Sequence, residues 1–151
     1  MVIYVDGSSV PNPGPSGVGL LVLARGSTAD SLIGVTKNIG FGGNNTAEFL
    51  GLMDALAIVR AARPRSALIV SDSLVGLRLA TGKIRARSGQ HLALQRQARD
   101  WLVEHEHVRL CWVERNRNLA HHLARFGASL PEGSEDVRLL GSQEQALPRA
   151  S

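Results

Sequence analysis

Residues 1–17 read MVIYVDGSSVPNPGPSG, and one of them does not fit the pattern of its neighbours. Residues 2–5 are rich in β-branched and aromatic side chains, which predicts a β-strand. Asp6 follows where another apolar residue would extend that strand. Because alternate residues of a strand share a face, Asp6 lies on the same face as Val2 and Tyr4. A carboxylate on this apolar face needs a physical explanation, and a bound cation would provide one.

The rest of the chain predicts a mixed sheet with helices. After a turn rich in proline and glycine come two strands, GVGLLVLA and SLIGVTKNIG, which we expect to form hairpins. The later elements are, in chain order, the helix TAEFLGLMDALAIVRAA, the strand ALIVSDS, the helices SLVGLRLA and QHLALQRQARDWLVEH, the strand VRLCWV and a last helix at about residues 118–126. We therefore predict an α/β fold with a five-stranded mixed sheet, three antiparallel strands and then two parallel ones, flanked by helices.

Length and composition indicate one domain. We assign residues 1–130 to a catalytic domain, and residues 131–151, which are polar and show no clear periodicity, to a flexible tail. Lys and Arg exceed Asp and Glu by 17 to 13, a balance that suits a polyanionic partner but is also common in soluble proteins. The chain has a single cysteine, Cys111, and shows neither a signal peptide nor an apolar run of ~18 residues. We therefore expect a cytoplasmic protein, and we expect it to be a monomer.

Two further carboxylates are predicted to meet Asp6. Asp72 follows a buried parallel strand, at the sheet edge where α/β proteins bind ligands. Glu48 is expected in the first turn of its helix, on the stripe that faces the sheet. Each residue alone has an ordinary explanation, since Asp6 suits a turn, Glu48 a helix dipole and Asp72 an N-cap. Together, however, three carboxylates need a cation between them, and oxygen ligands suit Mg²⁺ or Mn²⁺.

Four segments of the chain together resemble the motifs of a known family. YVDGSSVPNPGPSGVG, NNTAEFLGLMDAL, LIVSDSLVG and WVERNRNLAHHLA are similar to the successive motifs of type 1 ribonuclease H, over roughly residues 2–127. The resemblance implies a ribonuclease H-like fold and an endonuclease that hydrolyses the RNA strand of RNA–DNA hybrids, leaving 5′-phosphate and 3′-hydroxyl ends. It also implies that Asp6, Glu48 and Asp72 are catalytic ligands of Mg²⁺ or Mn²⁺ in a two-metal site.

The fourth motif departs from that family, in which an Asp usually precedes the final x-L-A. Spacing to the Leu-Ala pair puts His121 at this position, and we take it as a fourth catalytic and metal-binding residue. An imidazole nitrogen suits Mn²⁺ better than Mg²⁺. Helical phase disagrees, because Leu119, His122, Leu123 and Phe126 form one stripe that leaves His121 outside. The alternatives are a role for His122 instead, or two surface histidines.

The resemblance also implies substrate-binding residues. Family members contact the hybrid's backbone and 2′-hydroxyl groups through the first hairpin and an asparagine pair, which correspond to Asn12, Asn44 and Asn45. Amide side chains both donate and accept hydrogen bonds, as recognition of a 2′-hydroxyl requires. Helix capping by Asn44 and Asn45 is the alternative. Arg115 matches an arginine of some relatives and is assigned to a substrate phosphate.

Other functions remain open beside hybrid cleavage. The alternative is a nucleic-acid-binding module with weak or no cleavage, which His121 in place of Asp supports. A 3′–5′ exonuclease of similar fold is disfavoured, because such enzymes carry Asp-x-Glu on the first strand and this chain has Asp-Gly-Ser there. Lys83, Arg85 and Arg87 belong to a short segment that we call the basic loop. This segment either binds the nucleic acid or is a solvated loop without that role.

Overall fold

The computed structural model describes residues 1–26 and 29–143. The strands of these residues form one mixed sheet, as the sequence predicts. Strands β1 (Val2–Ser9), β2 (Gly14–Arg25) and β3 (Asp30–Gly42) pair as antiparallel neighbours. Strands β4 (Ala67–Ser71) and β5 (Val108–Trp112) add in parallel on the other side of β1, in the order β5-β4-β1-β2-β3. The three antiparallel and two parallel strands of the prediction are therefore confirmed.

The expected count of five strands is wrong, because a sixth strand, β6 (Glu135–Gln143), pairs antiparallel with the outer edge of β3. It lies in the segment predicted to be a loose tail. Its apolar residues Val137, Leu139 and Leu140 remain 59%, 66% and 50% exposed, so the strand buries little apolar surface. Backbone pairing with β3 stabilises it instead. Residues 144–151 lie outside the described residues, and a domain limited to residues 1–130 stays a prediction.

The described residues form four α-helices: α1 (Asn44–Ala62), α2 (Leu74–Ala80), α3 (Gly89–Glu104) and α4 (His121–Ser129). Helices α1 and α4 pack on opposite faces, as two glycines show. A Cβ on Gly7 would overlap the backbone nitrogen of Glu48 in α1, whereas a Cβ on Gly19 would overlap that of Ala124 in α4. Because successive strand residues alternate in direction, Asp6 faces the α4 side. None of the helices in the described part of the chain has the length and apolarity needed to cross a membrane.

The main core lies between the sheet and α1. Its largest fully buried apolar side chains come from β1, β2, β4 and α1, and include Ile3, Val5, Val18, Leu20, Leu52, Leu56, Val59 and Ile69. These residues fix α1 against β1, which determines where the first turns of α1 lie relative to the strand ends.

Two helix starts differ from the prediction. Helix α1 begins at Asn44, with Gly43 as its N-cap, so Asn44 and Asn45 belong to the first turn and do not cap it. Glu48 therefore lies beyond the first turn. The backbone N–H of Asn44 donates to Oδ1 of Asn12, 3.1 Å away, so the first hairpin supplies the partner that a local cap would supply. Helix α4 begins at His121, three residues later than predicted.

Candidate active site

The pairing of β1 with β4 brings Asp6 and Asp72 side by side. Tyr4 pairs with Val70 in the parallel register, and two residues further along each strand lie Asp6 and Asp72. Asp6 is 3% exposed. Asp72 follows the last residue of β4, and the N-cap of α2 is Ser73, so the alternative role of Asp72 as a cap is wrong. Both carboxylates therefore occupy the predicted edge of the sheet.

Glu48 reaches this pair from α1, across the residue that follows Asp6. Gly7 has no side chain, and this lets the backbone of Ala47 and Glu48 lie directly against β1. Potential ligand oxygens of Asp6, Glu48 and Asp72 lie within 4.8 Å of one another. Among residues 1–26 and 29–143, this is the one group of three or more potential metal ligands at such distances. The predicted meeting of the three carboxylates is a feature of the structure.

Burial and mutual repulsion make this cluster electrostatically unfavourable on its own. Desolvation, followed by the charges of Asp6 and Asp72, raises the pKa of Glu48 to about 9. Desolvation also raises the pKa of Asp6; a hydrogen bond with His121 opposes this shift, and the charge of Asp72 adds to it. The three carboxyl groups can therefore stay together in the folded chain only if a proton or a cation compensates their negative charge.

The cluster fits a divalent cation by its donor chemistry and by one unpaired atom. Oε2 of Glu48 is buried and has no hydrogen-bond partner in the described part of the chain. An unpaired buried carboxylate oxygen is destabilising by more than 1 kcal/mol as a rough value, and metal coordination would satisfy it. Carboxylate oxygens are the ligands that Mg²⁺ and Mn²⁺ prefer. The three residues present are therefore suited to hold such an ion.

His121 contacts the cluster through Asp6. Its Nδ1 lies 2.7 Å from Oδ2 of Asp6, and its side chain is 22% exposed. A carboxylate accepts, so with Asp6 ionised Nδ1 of His121 is the donor of this hydrogen bond. His122 is exposed. Of the two histidines, His121 thus lies at the site, whereas its role as a metal ligand stays a prediction.

Asn118 lies at the centre of the site, although the sequence alone did not point to it. Its Nδ2 donates to the carbonyl of Val5 and to Oδ1 of Asp72, and its Oδ1 accepts from the backbone N–H of Ala120. The residue is 5% exposed. The available signal was its position, an asparagine three residues before His121 in the fourth motif.

Trp112 is a second residue whose position the sequence did not predict. Although tryptophan side chains more often fill a core, Trp112 is 47% exposed. Its Nε1 donates to the backbone carbonyl of Asp72 over 3.0 Å. Trp101, in contrast, stacks on His105 with the ring centroids 4.1 Å apart, and the guanidinium of Arg60 lies 5.0 Å from the centroid of the Trp101 ring. Trp101 and His105 therefore stabilise the contact of α1 with α3, far along the chain from the carboxylates.

The first hairpin and the start of α1 form one connected surface. Asn44 accepts a hydrogen bond from the backbone N–H of Ser9 through Oδ1 at 2.8 Å, and Asn12 accepts from Asn44. Asn12, Asn44 and Asn45 are all exposed. Because the backbone occupies both side-chain oxygens, the NH₂ groups of Asn12 and Asn44 are the donors that a ligand would meet. The structure brings Asn12 and Asn44 together, and Asn44 lies four residues before Glu48 in α1.

The cationic residues are exposed on two connections. Arg115 lies in the short 3₁₀ turn Arg115–Arg117 after β5, with an exposed side chain. The basic loop joins α2 to α3 and is organised by Gln95, which is 6% exposed. The side chain of Gln95 accepts from the backbone of Ala86 and donates to the carbonyls of Leu79 and Ile84. The backbone of the basic loop is thus fixed from inside while its cations face outward.

Comparisons with known proteins agree with this geometry. A family model described as RNase H matches residues 1–118. The bifunctional protein Rv2228c of Mycobacterium tuberculosis is 31% identical over 121 residues, which make up 78% of this chain and 32% of that protein. The chain therefore spans about a third of the length of the curated relatives it matches.

Solved structures show the same fold. The N-terminal RNase H domain of Rv2228c is 31% identical, with a TM-score of 0.66 over 84% of this chain and 97% of that one. RNase H1 of Halobacterium salinarum NRC-1 is 26% identical, with a TM-score of 0.67 over 85% and 96%. LC11-RNase H1, solved in complex with an RNA/DNA hybrid, is 20% identical, with a TM-score of 0.65 over 85% and 96%, which shows the fold alone. The family model covers most of the chain, and the three carboxylates meet in one cluster. The chain therefore belongs to the RNase H family.

Proposed function

We propose that the chain is an endoribonuclease that hydrolyses the RNA strand of RNA–DNA hybrids with a divalent metal ion. The observation that carries this proposal is the cluster of Asp6, Glu48 and Asp72, whose ligand oxygens lie within 4.8 Å of one another. Membership of the RNase H family and the hybrid bound to LC11-RNase H1 support the substrate. The reaction leaves 5′-phosphate and 3′-hydroxyl ends.

Some side chains of the site bind the cation, and others bind and position the nucleic acid. Asp6, Glu48 and Asp72 hold the cation, either Mg²⁺ or Mn²⁺, with His121 as a fourth ligand or as the partner that orients Asp6. A pair of such ions, when bound, supplies an activated water and stabilises the leaving oxygen. Asn12, Asn44 and Asn45 bind the backbone and the 2′-hydroxyl groups that distinguish RNA from DNA. Arg115 pairs with a phosphate.

The test is incubation of a labelled RNA–DNA hybrid, duplex DNA, duplex RNA and each single strand with Mg²⁺ or Mn²⁺. We expect cleavage of the RNA in the hybrid alone, with 5′-phosphate products, and no cleavage in EDTA. Asp6→Asn, Glu48→Gln and Asp72→Asn should each abolish turnover while circular dichroism shows an intact fold. Cyclic-phosphate ends would show that the 2′-hydroxyl is the nucleophile, which contradicts the proposed reaction.

A nucleic-acid-binding module with little or no cleavage is the second candidate. His121 favours it, because the residue replaces the carboxylate expected in the fourth motif and bonds to Asp6. A neutral imidazole contributes no negative charge, which lowers cation affinity relative to four carboxylates. Tight hybrid binding in EDTA, unchanged by metal and without cleavage at any Mn²⁺ concentration, would establish this candidate and overturn the first.

A further inference from the structure

Asn118 joins three separate elements of the site through a single side chain. One hydrogen of Nδ2 is directed to the carbonyl of Val5 in β1 at 2.9 Å, and the other is directed to Oδ1 of Asp72 beyond β4. Oδ1 accepts from the N–H of Ala120 at 3.1 Å, immediately before α4. Every hydrogen-bonding group of this buried amide except one lone pair is thereby used.

These contacts fix Asp72 from two sides. Asn118 holds one carboxylate oxygen of Asp72, and Trp112 holds its backbone carbonyl at 3.0 Å. The second carboxylate oxygen is left for the cluster with Asp6 and Glu48. Asp72 follows the last residue of β4, so its backbone lies beyond the strand pairing. The amide donor therefore selects the direction in which the carboxylate points.

The same residue sets the start of α4. Asn118 has extended backbone angles, φ −83° and ψ 107°, so the helix cannot begin before it. Its Oδ1 binds the N–H two residues on, and α4 then starts at His121, which reaches Asp6. One side chain thus places residues on both sides of the carboxylate cluster.

We propose that Asn118 is a positioning residue that orients the Asp72 carboxylate for metal binding, through its amide donor. Only a side chain with a donor and an acceptor at this length can bond to Asp72, Val5 and Ala120 together. Partners of metal-binding side chains affect metal affinity by about 10- to 100-fold when they are removed. The inference rests on the proposed metal-binding function of the cluster.

The chain offers a matched control in Asn38. This residue is 4% exposed, and its Nδ2 also donates to two oxygens, the carbonyls of Ala128 and Leu130, while its Oδ1 accepts from the N–H two residues on, that of Gly40. The two asparagines therefore make the same set of hydrogen bonds at opposite ends of α4. Of the two, only Asn118 donates to a carboxylate.

The experiment compares Asn118→Ser with Asn38→Ser. A serine hydroxyl accepts from the N–H two residues on, so both variants keep the local turn and lose the two amide donor bonds. Mn²⁺ affinity is measured by calorimetry without nucleic acid, and stability by urea unfolding in EDTA. We expect Asn118→Ser to weaken Mn²⁺ binding by about 10-fold or more and Asn38→Ser to stay within about 2-fold, at similar losses of stability. Saturating Mn²⁺ should restore kcat of Asn118→Ser.

The outcomes separate the inference from the proposed function. Unchanged Mn²⁺ affinity in Asn118→Ser, or an equal loss in Asn38→Ser, overturns the positioning role. Asp72→Asn is the reference for the site, and Mn²⁺ binding that survives it overturns the inference as well. A protein that binds Mn²⁺, loses affinity in Asn118→Ser and cleaves no hybrid supports the positioning role but refutes the activity. Asn118→Ala with the same readouts replaces the serine variant if the latter does not fold.

Discussion

Replacing Glu48 by Gln should stabilise the metal-free protein, although it removes a residue of the site. In the folded chain, burial and the charges of Asp6 and Asp72 raise the pKa of Glu48 from 4.5 to about 9. The unfolded chain loses this proton near pH 4.5, whereas the folded chain keeps it until about pH 9. Between these values the unfolded state binds fewer protons, so the free energy of unfolding falls as the pH rises.

The size of the effect follows from the interval between the two pKa values. Each pH unit inside it lowers the free energy of unfolding by about 1.4 kcal/mol, and at pH 7 the loss attributable to this carboxyl reaches about 3 kcal/mol as an upper value. Glutamine has the same shape and does not titrate. We therefore expect Glu48→Gln and the natural chain to have similar stability near pH 4.5 and to diverge steadily above it.

Urea unfolding in EDTA at pH 5, 7 and 8.5, followed by far-ultraviolet circular dichroism, measures this divergence. Glu104→Gln, which changes an exposed residue at the end of α3, is the control and should show no pH-dependent difference. Adding Mn²⁺ should reverse the order at pH 7, because the natural site then binds a cation that compensates its charge. A stability difference that does not change with pH, or a variant less stable at pH 8.5, would refute the reasoning.

Three other variants test the parts of the site separately. Gly7→Ala places a Cβ 2.7 Å from the carbonyl oxygen of Ala47, so α1 must move by about 1 Å and kcat should fall about 100-fold. The control is Gly89→Ala, whose Cβ meets open space and which should leave kcat unchanged. Replacing the three cations of the basic loop by Ala should lower the salt dependence of hybrid binding by about 0.7–0.9 for each phosphate that the loop no longer neutralises; an unchanged slope means a merely solvated loop. His121→Asp should raise Mg²⁺-dependent relative to Mn²⁺-dependent activity, and a shift only in His122→Asp would contradict the role assigned to His121 from its contact with Asp6.

The carboxylate cluster was predictable because simple local rules determine it. The two-residue period of a strand gave the face of Asp6, and the end of a buried parallel strand gave the edge at which Asp72 lies. Strand β6 was not predictable in this way, because its apolar residues stay exposed and its pairing depends on the free edge of β3. The start of α1 also escaped prediction, since its first N–H is bound by Asn12 from a distant hairpin.

Helix α4 shows why helical phase pointed away from His121. The predicted stripe followed the largest apolar side chains, yet Leu119 precedes the helix and is 56% exposed, and Phe126 is 44% exposed. The face that α4 buries consists of small residues instead, Ala124, Gly127 and Ala128. Glycines in β2 leave room for a close backbone approach there, and such an approach requires small residues on the helix as well. His121 lies three and seven residues before the two alanines, hence on the buried face, and this places it against Asp6.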